Sequence, residues 1–370
     1  MERRPGAVAG LVNEYFRDKR VLVTGHTGFK GAWLTMWLQH LGASVTGLAL
    51  APATSPSLYT AADLASRMRS LSGDVRDRHA VEAAFDVSDP QVVFHLAAQP
   101  LVLDSYREPV ETFATNVMGT AHLLDAARTS SAIESVVVVT TDKCYDAGPN
   151  GGPHREDAAL GGHDPYSASK ACAELVAAAF RESYRGQSSL GAVATARAGN
   201  IVGGGDWSAD RIVPDAVRAL TTGGSLQIRH PEAVRPWQHV LDALAGYLQL
   251  ATAVGTHPDD FAGAWNFGPT TGDYTVADVI RALSNAWGDA PTLVGAESSP
   301  FEQPVLRLDA SKARTRLGWA PRLGFEETMR LTADWYRAYA SGADAFQLTN
   351  QQIAAFGAAN EEREWATAAS

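Results

Sequence analysis

Val21-Leu-Val-Thr-Gly25-His-Thr-Gly28-Phe-Lys-Gly31 joins a β-branched and leucine run to a segment in which Leu34, Leu38 and Leu41 fall at helical spacing. A strand, a glycine-rich turn and a helix in that order form a dinucleotide-binding unit. Gly25 permits the tight turn, Gly28 lets a pyrophosphate approach the backbone, and Gly31 allows the helix to pack closely on the strand. The helix N-terminus offers unpaired N–H groups and a partial positive charge to the phosphates. The spacing is G-x-x-G-x-x-G rather than the commoner G-x-G-x-x-G. The turn residues Gly25, His26, Thr27, Gly28, Phe29, Lys30 and Gly31 are therefore the expected cofactor cradle.

Outward from this turn, strand patterns at 20–24, 44–50, 69–72, 91–97, 134–140 and 192–196 alternate with helical patterns at 32–41, 80–85, 111–128 and 167–184. Alternation at this interval predicts crossover units and a parallel sheet covered on both faces, an α/β doubly wound fold of the Rossmann type. Beyond Gly199 the pattern loosens into loops rich in Gly, Pro, Trp and Arg, with helices at 213–220, 240–253, 276–287 and 325–340. The reading is a nucleotide-binding region over 1–200, a smaller substrate-binding region over 201–345 and a tail over 346–370. Thr349-Asn-Gln-Gln352 is expected to cap a short helix in that tail.

Thirty-one basic and 41 acidic residues give a net charge of −10, which excludes a nucleic-acid binder acting by bulk charge. Two cysteines, Cys144 and Cys172, are no disulfide framework and suit a reducing compartment, so a cytoplasmic protein is expected. No apolar run is long enough to span a bilayer. Ten histidines form no ligand pattern, so no metal is expected. Trp33 and Trp37 read as core or interface, and Cys144 as an inert buried thiol.

The chemistry-bearing residues cluster at two strand and helix ends. Tyr166-Ser-Ala-Ser-Lys170 opens a helix and places a phenol and an ammonium on one face. A cation beside a phenol favours the phenolate, making Tyr166 a base for an alcohol and Lys170 its tuner and a ribose ligand. Thr140-Thr141-Asp142-Lys143 ends the Val136–Val139 run, where this fold gathers reactive groups. Thr141 suits the Tyr166 oxygen or a sugar hydroxyl, Asp142 a general acid if burial raises its pKa, and Lys143 a base if its pKa is lowered. The second strand lacks the carboxylate that binds the ribose hydroxyls of NAD and shows no arginine for a 2′-phosphate. NAD is the expected cofactor with NADP open, and Asp74 and Val75 are candidates to hold the adenine.

Gly25-x-x-Gly28-x-x-Gly31, His95-Leu-Ala-Ala98, Thr141-Asp-Lys143 and Tyr166-x-x-x-Lys170 stand in the order found in the extended short-chain dehydrogenase/reductase family, which the chain resembles over nearly its whole length. More narrowly, the run Gly25–Trp33, Gln99-Pro-Leu-Val102, Thr141-Asp-Lys-Cys-Tyr145, Arg197-Ala-Gly-Asn200, Gly203-Gly-Gly-Asp-Trp207 and Arg235-Pro-Trp-Gln-His239 resemble the CDP-glucose branch of the nucleotide-sugar 4,6-dehydratases.

The resemblance implies NAD contacts at Leu96, Ala97 and Ala98. It implies substrate contacts at Gln99, Asn200, Asp206, Arg211, Arg229 and Arg235, where arginine suits a diphosphate by its planar donor fork. It also implies an internal redox cycle. Tyr166 takes the C4 hydroxyl proton as C4 is oxidised, a base removes the C5 proton, water leaves C6 with help from Asp142, and hydride returns to C6. Related sugar-nucleotide dehydratases carry Glu at the position of Lys143 as the C5 base; here the base is open, with Lys143 the candidate. A homodimer built from helices 111–128 and 167–184 is implied as well. The competing readings are another nucleotide-sugar epimerase or dehydratase, for which Asp142 has no evident use in an epimerase, and a non-catalytic NAD(P)-binding sensor or scaffold.

Overall fold

A computed structural model of the chain describes residues 7–146, 152–184, 190, 192–270, 272–295 and 303–368. Its centre is a seven-stranded sheet in which every pairing is parallel. Six strands follow chain order: β1 Arg20–Thr24, β2 Ser44–Ala49, β3 Arg69–Ser72, β4 Val92–His95, β5 Ser135–Val139 and β6 Val193–Ala198. The seventh is Gly263–Phe267, and the spatial order is Gly263–Phe267, β6, β5, β4, β1, β2, β3. The order reverses between β4 and β1, so the crevice for a ligand opens beyond Thr24 and its neighbour His95.

Side chains of each strand alternate between two buried faces, which is why the strand sequences read as continuous apolar runs. Leu22, Val93, Val136 and Val138 face Phe85, Leu123 and Leu124 on one side. Val21, Val23, Phe94 and Val137 face Trp33, Leu34 and Leu244 on the other. The helix Phe29–His40 is buried throughout from Gly31 to Leu38, and the Trp33 indole donates to the Gly204 carbonyl at 2.9 Å. Both tryptophans of this helix belong to the core.

Three elements differ from the sequence expectation. The sheet draws on chain beyond residue 200: Gly263–Phe267 pairs with β6, and the helix Val240–Thr256 packs its buried face onto the core. The amphipathic stretch 111–128 is helical but changes pitch, with a π-helical turn at Ala114–Met118 between Pro109–Phe113 and Gly119–Thr129. The tail is one 24-residue helix, Ala345–Ala368, rather than a short helix capped at Thr349. Thr349 lies inside it, fully buried, and its hydroxyl accepts from the Trp335 indole at 3.1 Å. That tertiary contact, invisible to a local capping pattern, takes the hydroxyl the cap would have used.

Candidate active site

The glycine turn has the geometry its spacing predicts. Gly25 sits at φ +75°, and a Cβ there would lie 2.7 Å from the Ala97 nitrogen. A Cβ on Gly31 would lie 2.1 Å from the Gly25 carbonyl oxygen, so the helix can approach β1 only with hydrogen at that position. A Cβ on Gly28 would meet only the Gly25 oxygen, at 3.4 Å, and Gly28 caps the helix without a side chain. The space beside Gly28 and the first N–H groups of Phe29–His40 thus form a cradle that fits a pyrophosphate. Leu96 and Ala98 line the adjoining cleft, and Ala97 closes on Gly25. NAD fits this set of residues.

Several expected contacts are reassigned. The His26 ring turns into the fold, where Nε2 meets Ser70 Oγ at 2.7 Å and the ring occupies the space left by Gly47. Burial pushes its pKa down to about 4, so His26 is a neutral core residue whose backbone alone belongs to the turn. Thr27 donates its hydroxyl to the Leu50 carbonyl, bracing the turn against the end of β2. Leu50, at the end of the strand that lacks a carboxylate, is 57% exposed. The Asp74 carboxylate accepts from Arg76 N, Nε and Nη2, which holds its pKa down, and the Val75 carbonyl is engaged by His122. Gln99 spends its amide on its own loop, with Nε2 donating to Leu101 O and Thr112 Oγ1 and Oε1 accepting from Leu101 N. Its neighbours Ala98, Pro100 and Leu101 line the cleft.

The cleft has a volume of about 350 Å³ and runs from the glycine turn to the arginine-rich loops. Lys30 lines this cleft. Burial and the charges of Lys170 and Arg211 lower its pKa to about 7, against the pull of Asp142 and Asp206. Tyr166 enters on the first turn of Pro165–Ser183, where Asp164 caps the helix by accepting from Ser167 N at 2.8 Å. Lys170 stands one turn later, and its Nζ donates to the Val139 carbonyl at 3.1 Å.

The expected lowering of the Tyr166 pKa by Lys170 is not what this arrangement produces. Burial dominates and raises the phenol to about 12, with the neighbouring Thr141 hydroxyl and the charge of Arg211 pulling down. Lys170 itself is lowered by burial to about 8. The shared helix face is real, but the long lysine arm runs on to β5.

Thr141-Asp142-Lys143 turns at the end of β5 as a single 3₁₀ turn, with Thr141 Oγ1 accepting from Lys143 N and donating to Asp142 Oδ1. Asp142 is buried, its Oδ2 has no partner, and burial raises its pKa against the opposing charges of Lys143 and Arg235. Cys144 is fully buried with its thiol pushed up, an inert core group. On the far wall, Arg235 is buried and donates to the Val234 carbonyl, Arg211 pairs with Asp206 at 3.2 Å, and Arg229 holds Asp210. Asn200 lines the same wall. The cleft thus joins a buried phenol, a buried carboxyl and several guanidinium groups. Among the described residues no cluster of His, Cys, Asp and Glu could hold a metal ion.

Two buried polar residues, Glu174 and Asn116, escape the sequence reading, and Arg197 enters it only as part of a motif. Glu174 and Arg197 form an ion pair at 2.7 Å beneath the turn. Asn116, in the π-helical turn, donates to Ser169 Oγ and bonds both backbone groups of Gln99. Glu174 had one visible signal, its place four residues after Lys170 on the same helix face; Asn116 had none.

The profile of the family described as GDP-mannose 4,6 dehydratase matches residues 22–332. A CDP-glucose 4,6-dehydratase of Salmonella typhimurium is 44% identical over 92% of this chain and 96% of its own. A dTDP-glucose 4,6-dehydratase of Streptomyces venezuelae, solved with NAD and TYD bound, superposes with a TM-score of 0.74 at 26% identity, covering 88% of this chain and 99% of that one. A UDP-glucose 4-epimerase of Thermus thermophilus in complex with NAD gives 0.75 at 29%, covering 86% and 99%. By sequence over most of its length and by fold, the chain belongs to the GDP-mannose 4,6 dehydratase family, within the extended short-chain dehydrogenases/reductases.

Proposed function

We propose that the protein is an NAD-dependent CDP-glucose 4,6-dehydratase, a hydro-lyase that makes CDP-4-keto-6-deoxyglucose. The observation that carries this reading is the buried Asp142 carboxyl, with one unpartnered oxygen, in the cleft that holds Tyr166 and Lys170. An epimerase leaves the C6 hydroxyl in place and has no evident use for such an acid. The 44% relative supplies the nucleotide and sugar.

The Gly25–Gly31 turn, Leu96, Ala98 and Lys170 hold NAD, which when bound supplies hydride acceptance at C4 and hydride return at C6. Tyr166 takes the C4 hydroxyl proton. Thr141 and the charge of Arg211 work toward the phenolate that burial opposes. Asp142, whose burial favours the protonated carboxyl, gives its proton to the departing C6 hydroxyl. Lys143, next in the same turn, serves C5, either as base or as the charge that stabilises the enolate. Arg211, Arg229 and Arg235 face the diphosphate, with Asn200 beside them.

We place the nucleotide-binding part mainly in 1–200 and the nucleotide-sugar part mainly in 201–345. We also propose a homodimer. Val110, Phe113, Met118 and Leu175 are exposed on the two helices that would pair, with Val110 77% and Leu175 58% exposed, an apolar face that a second copy covers. No helix among the described residues is long and apolar enough to cross a membrane, and both cysteines are free; the cytoplasm is the proposed location.

The test is incubation of the protein and NAD with CDP-, UDP-, dTDP- and GDP-glucose in parallel, with mass spectrometry for a 4-keto-6-deoxy product. Product from CDP-glucose at the highest kcat/KM supports the reading. Product only from another nucleotide, or 4-epimer alone, overturns it.

A further inference from the structure

We infer that Glu174 is a positioning residue that ties the Thr141-Asp142-Lys143 turn to the helix carrying Tyr166 and Lys170, and that its carboxylate is the counter-charge of Lys170. The inference rests on the dehydratase reading and assigns a role to a pair that takes no part in the chemistry above.

Tyr166, Lys170 and Glu174 follow one another at four-residue intervals along Pro165–Ser183 and are all buried. The Glu174 side chain is 2% exposed and that of Arg197 is 4%. One carboxylate oxygen accepts from the Thr140 hydroxyl, on the residue just before the turn. The other accepts from Thr195 Oγ1 and from Arg197 Nη2, each at 2.7 Å. Arg197 Nη1 then reaches the Tyr145 hydroxyl at 2.8 Å, on the residue just after the turn, and the Glu156 carbonyl at 3.1 Å. The Tyr145 hydroxyl in turn donates to Asn266 Oδ1 at 2.6 Å, in the seventh strand. The turn is therefore held on both flanks by one ion pair, and that pair is anchored to the helix of the reacting phenol.

Burying an ion pair is expensive, and apolar side chains of like volume often fill such a space with no loss of stability. The charge has a further consequence here. Lys170 faces Glu174 on its own helix, the Cys144 thiol from the turn, Lys30 from the helix after the glycine turn, and neutral His95 from β4. Burial drives the ammonium toward neutrality, and Glu174 is the strongest influence holding it charged. Without that carboxylate, Lys170 would lose its proton at a lower pH.

Three variants separate charge from position. Glu174→Gln keeps the shape and removes the charge. Glu174→Asp keeps the charge and shortens the arm. Glu174→Gln/Arg197→Met removes both charges and replaces the first variant if an uncompensated Arg197 prevents folding. The readout is the titration of the lysine ε-methylene in ¹³C-labelled protein, with Lys170→Met assigning the signal, followed by the pH profile of kcat/KM on CDP-glucose.

The expected result is a Lys170 midpoint lower by about one pH unit in Glu174→Gln or the double variant, and near wild type in Glu174→Asp. The alkaline limb of activity moves with it. In Glu174→Asp, kcat falls roughly tenfold to a hundredfold from a displaced turn, with KM little changed. An unmoved Lys170 midpoint in the charge-removing variants, or Asp and Gln variants that titrate alike, overturns the inference. Failure of the wild type to act on CDP-glucose overturns the proposed function instead, and the titration still decides the charge.

Discussion

The Lys170 ammonium donates to the carbonyl oxygen of Val139, 3.1 Å away, at the last residue of β5. The lysine is thereby fixed at the strand end from which Thr141, Asp142 and Lys143 project, and the phenol of Tyr166 is left to Thr141. The phenol and the ammonium are held by different partners.

Tyr166→Phe removes the hydroxyl proposed to take the C4 hydroxyl proton. Because the ring stays and the hydroxyl alone goes, NAD binding and the fold persist, while turnover falls by at least ~10²–10⁴-fold, the usual worth of a general base. Turnover on CDP-glucose and NAD binding by calorimetry check this together; normal turnover removes Tyr166 from the mechanism. Lys170→Met, by contrast, weakens both NAD binding and rate, since one side chain serves both.

Asp142→Asn keeps the shape of the side chain and loses the acidic proton. C4 oxidation then proceeds and elimination stalls by ~10²–10⁴-fold. In single turnover a 4-keto sugar that retains its C6 oxygen accumulates, visible by mass spectrometry. Release of 6-deoxy product at the wild-type rate would show that Asp142 is not the acid.

Buried neutral histidines predict a stability profile. His95 and His239 are wholly buried, and burial pushes both pKa values down to about 3. A folded-state pKa below the unfolded value of about 6.5 contributes stability that is present above that pH and lost as pH falls toward the folded pKa. The loss is about 1.4 kcal/mol per pH unit for each histidine. His239 caps Val240–Thr256 by accepting from Leu241 N, and asparagine keeps that acceptor. Urea denaturation of His239→Asn should therefore lose about 2 kcal/mol less than wild type between pH 6.5 and 5. Asp242, raised to about 6 by burial, acts with the opposite sign but equally in both proteins, so it cancels.

Much of this molecule is legible because its signals are local. The Gly25–Gly31 turn, the apolar strands and the Tyr166/Lys170 spacing each depend on residues a few positions apart, and the sheet order follows from the crossover rule. What escaped reading is non-local. Gly263-Ala-Trp-Asn-Phe267 lacks a β-branched run, and its strand identity comes from pairing with β6. Arg197 and Glu174 meet across a helix and a strand. The ionisation of Tyr166 is not legible for the same reason: the shared face with Lys170 is visible in the sequence, but the burial that outweighs it is not. Gln99 and His26 carry family-like letters, and only their partners Thr112 and Ser70 reveal that their side chains are committed elsewhere.

Lys143 is where the chain departs from the Asp-Glu pattern of related dehydratases, and its two possible roles separate by charge. An ammonium cannot accept a proton, so a base role requires neutral amine at working pH. Lys143 lines the cleft beside Asp142. A charged Lys143 would instead stabilise the enolate that forms as C5 loses its proton. Lys143→Met stops C5 proton exchange with solvent under either role, by roughly 10²-fold or more. Lys143→Arg keeps the charge and cannot titrate. Exchange measured in deuterated solvent, with C4 oxidation followed in the same samples, decides between them. Exchange preserved in the Arg variant excludes the base and leaves the electrostatic role. Exchange lost in Arg as in Met, with C4 oxidation intact in both, assigns the neutral amine as the C5 base.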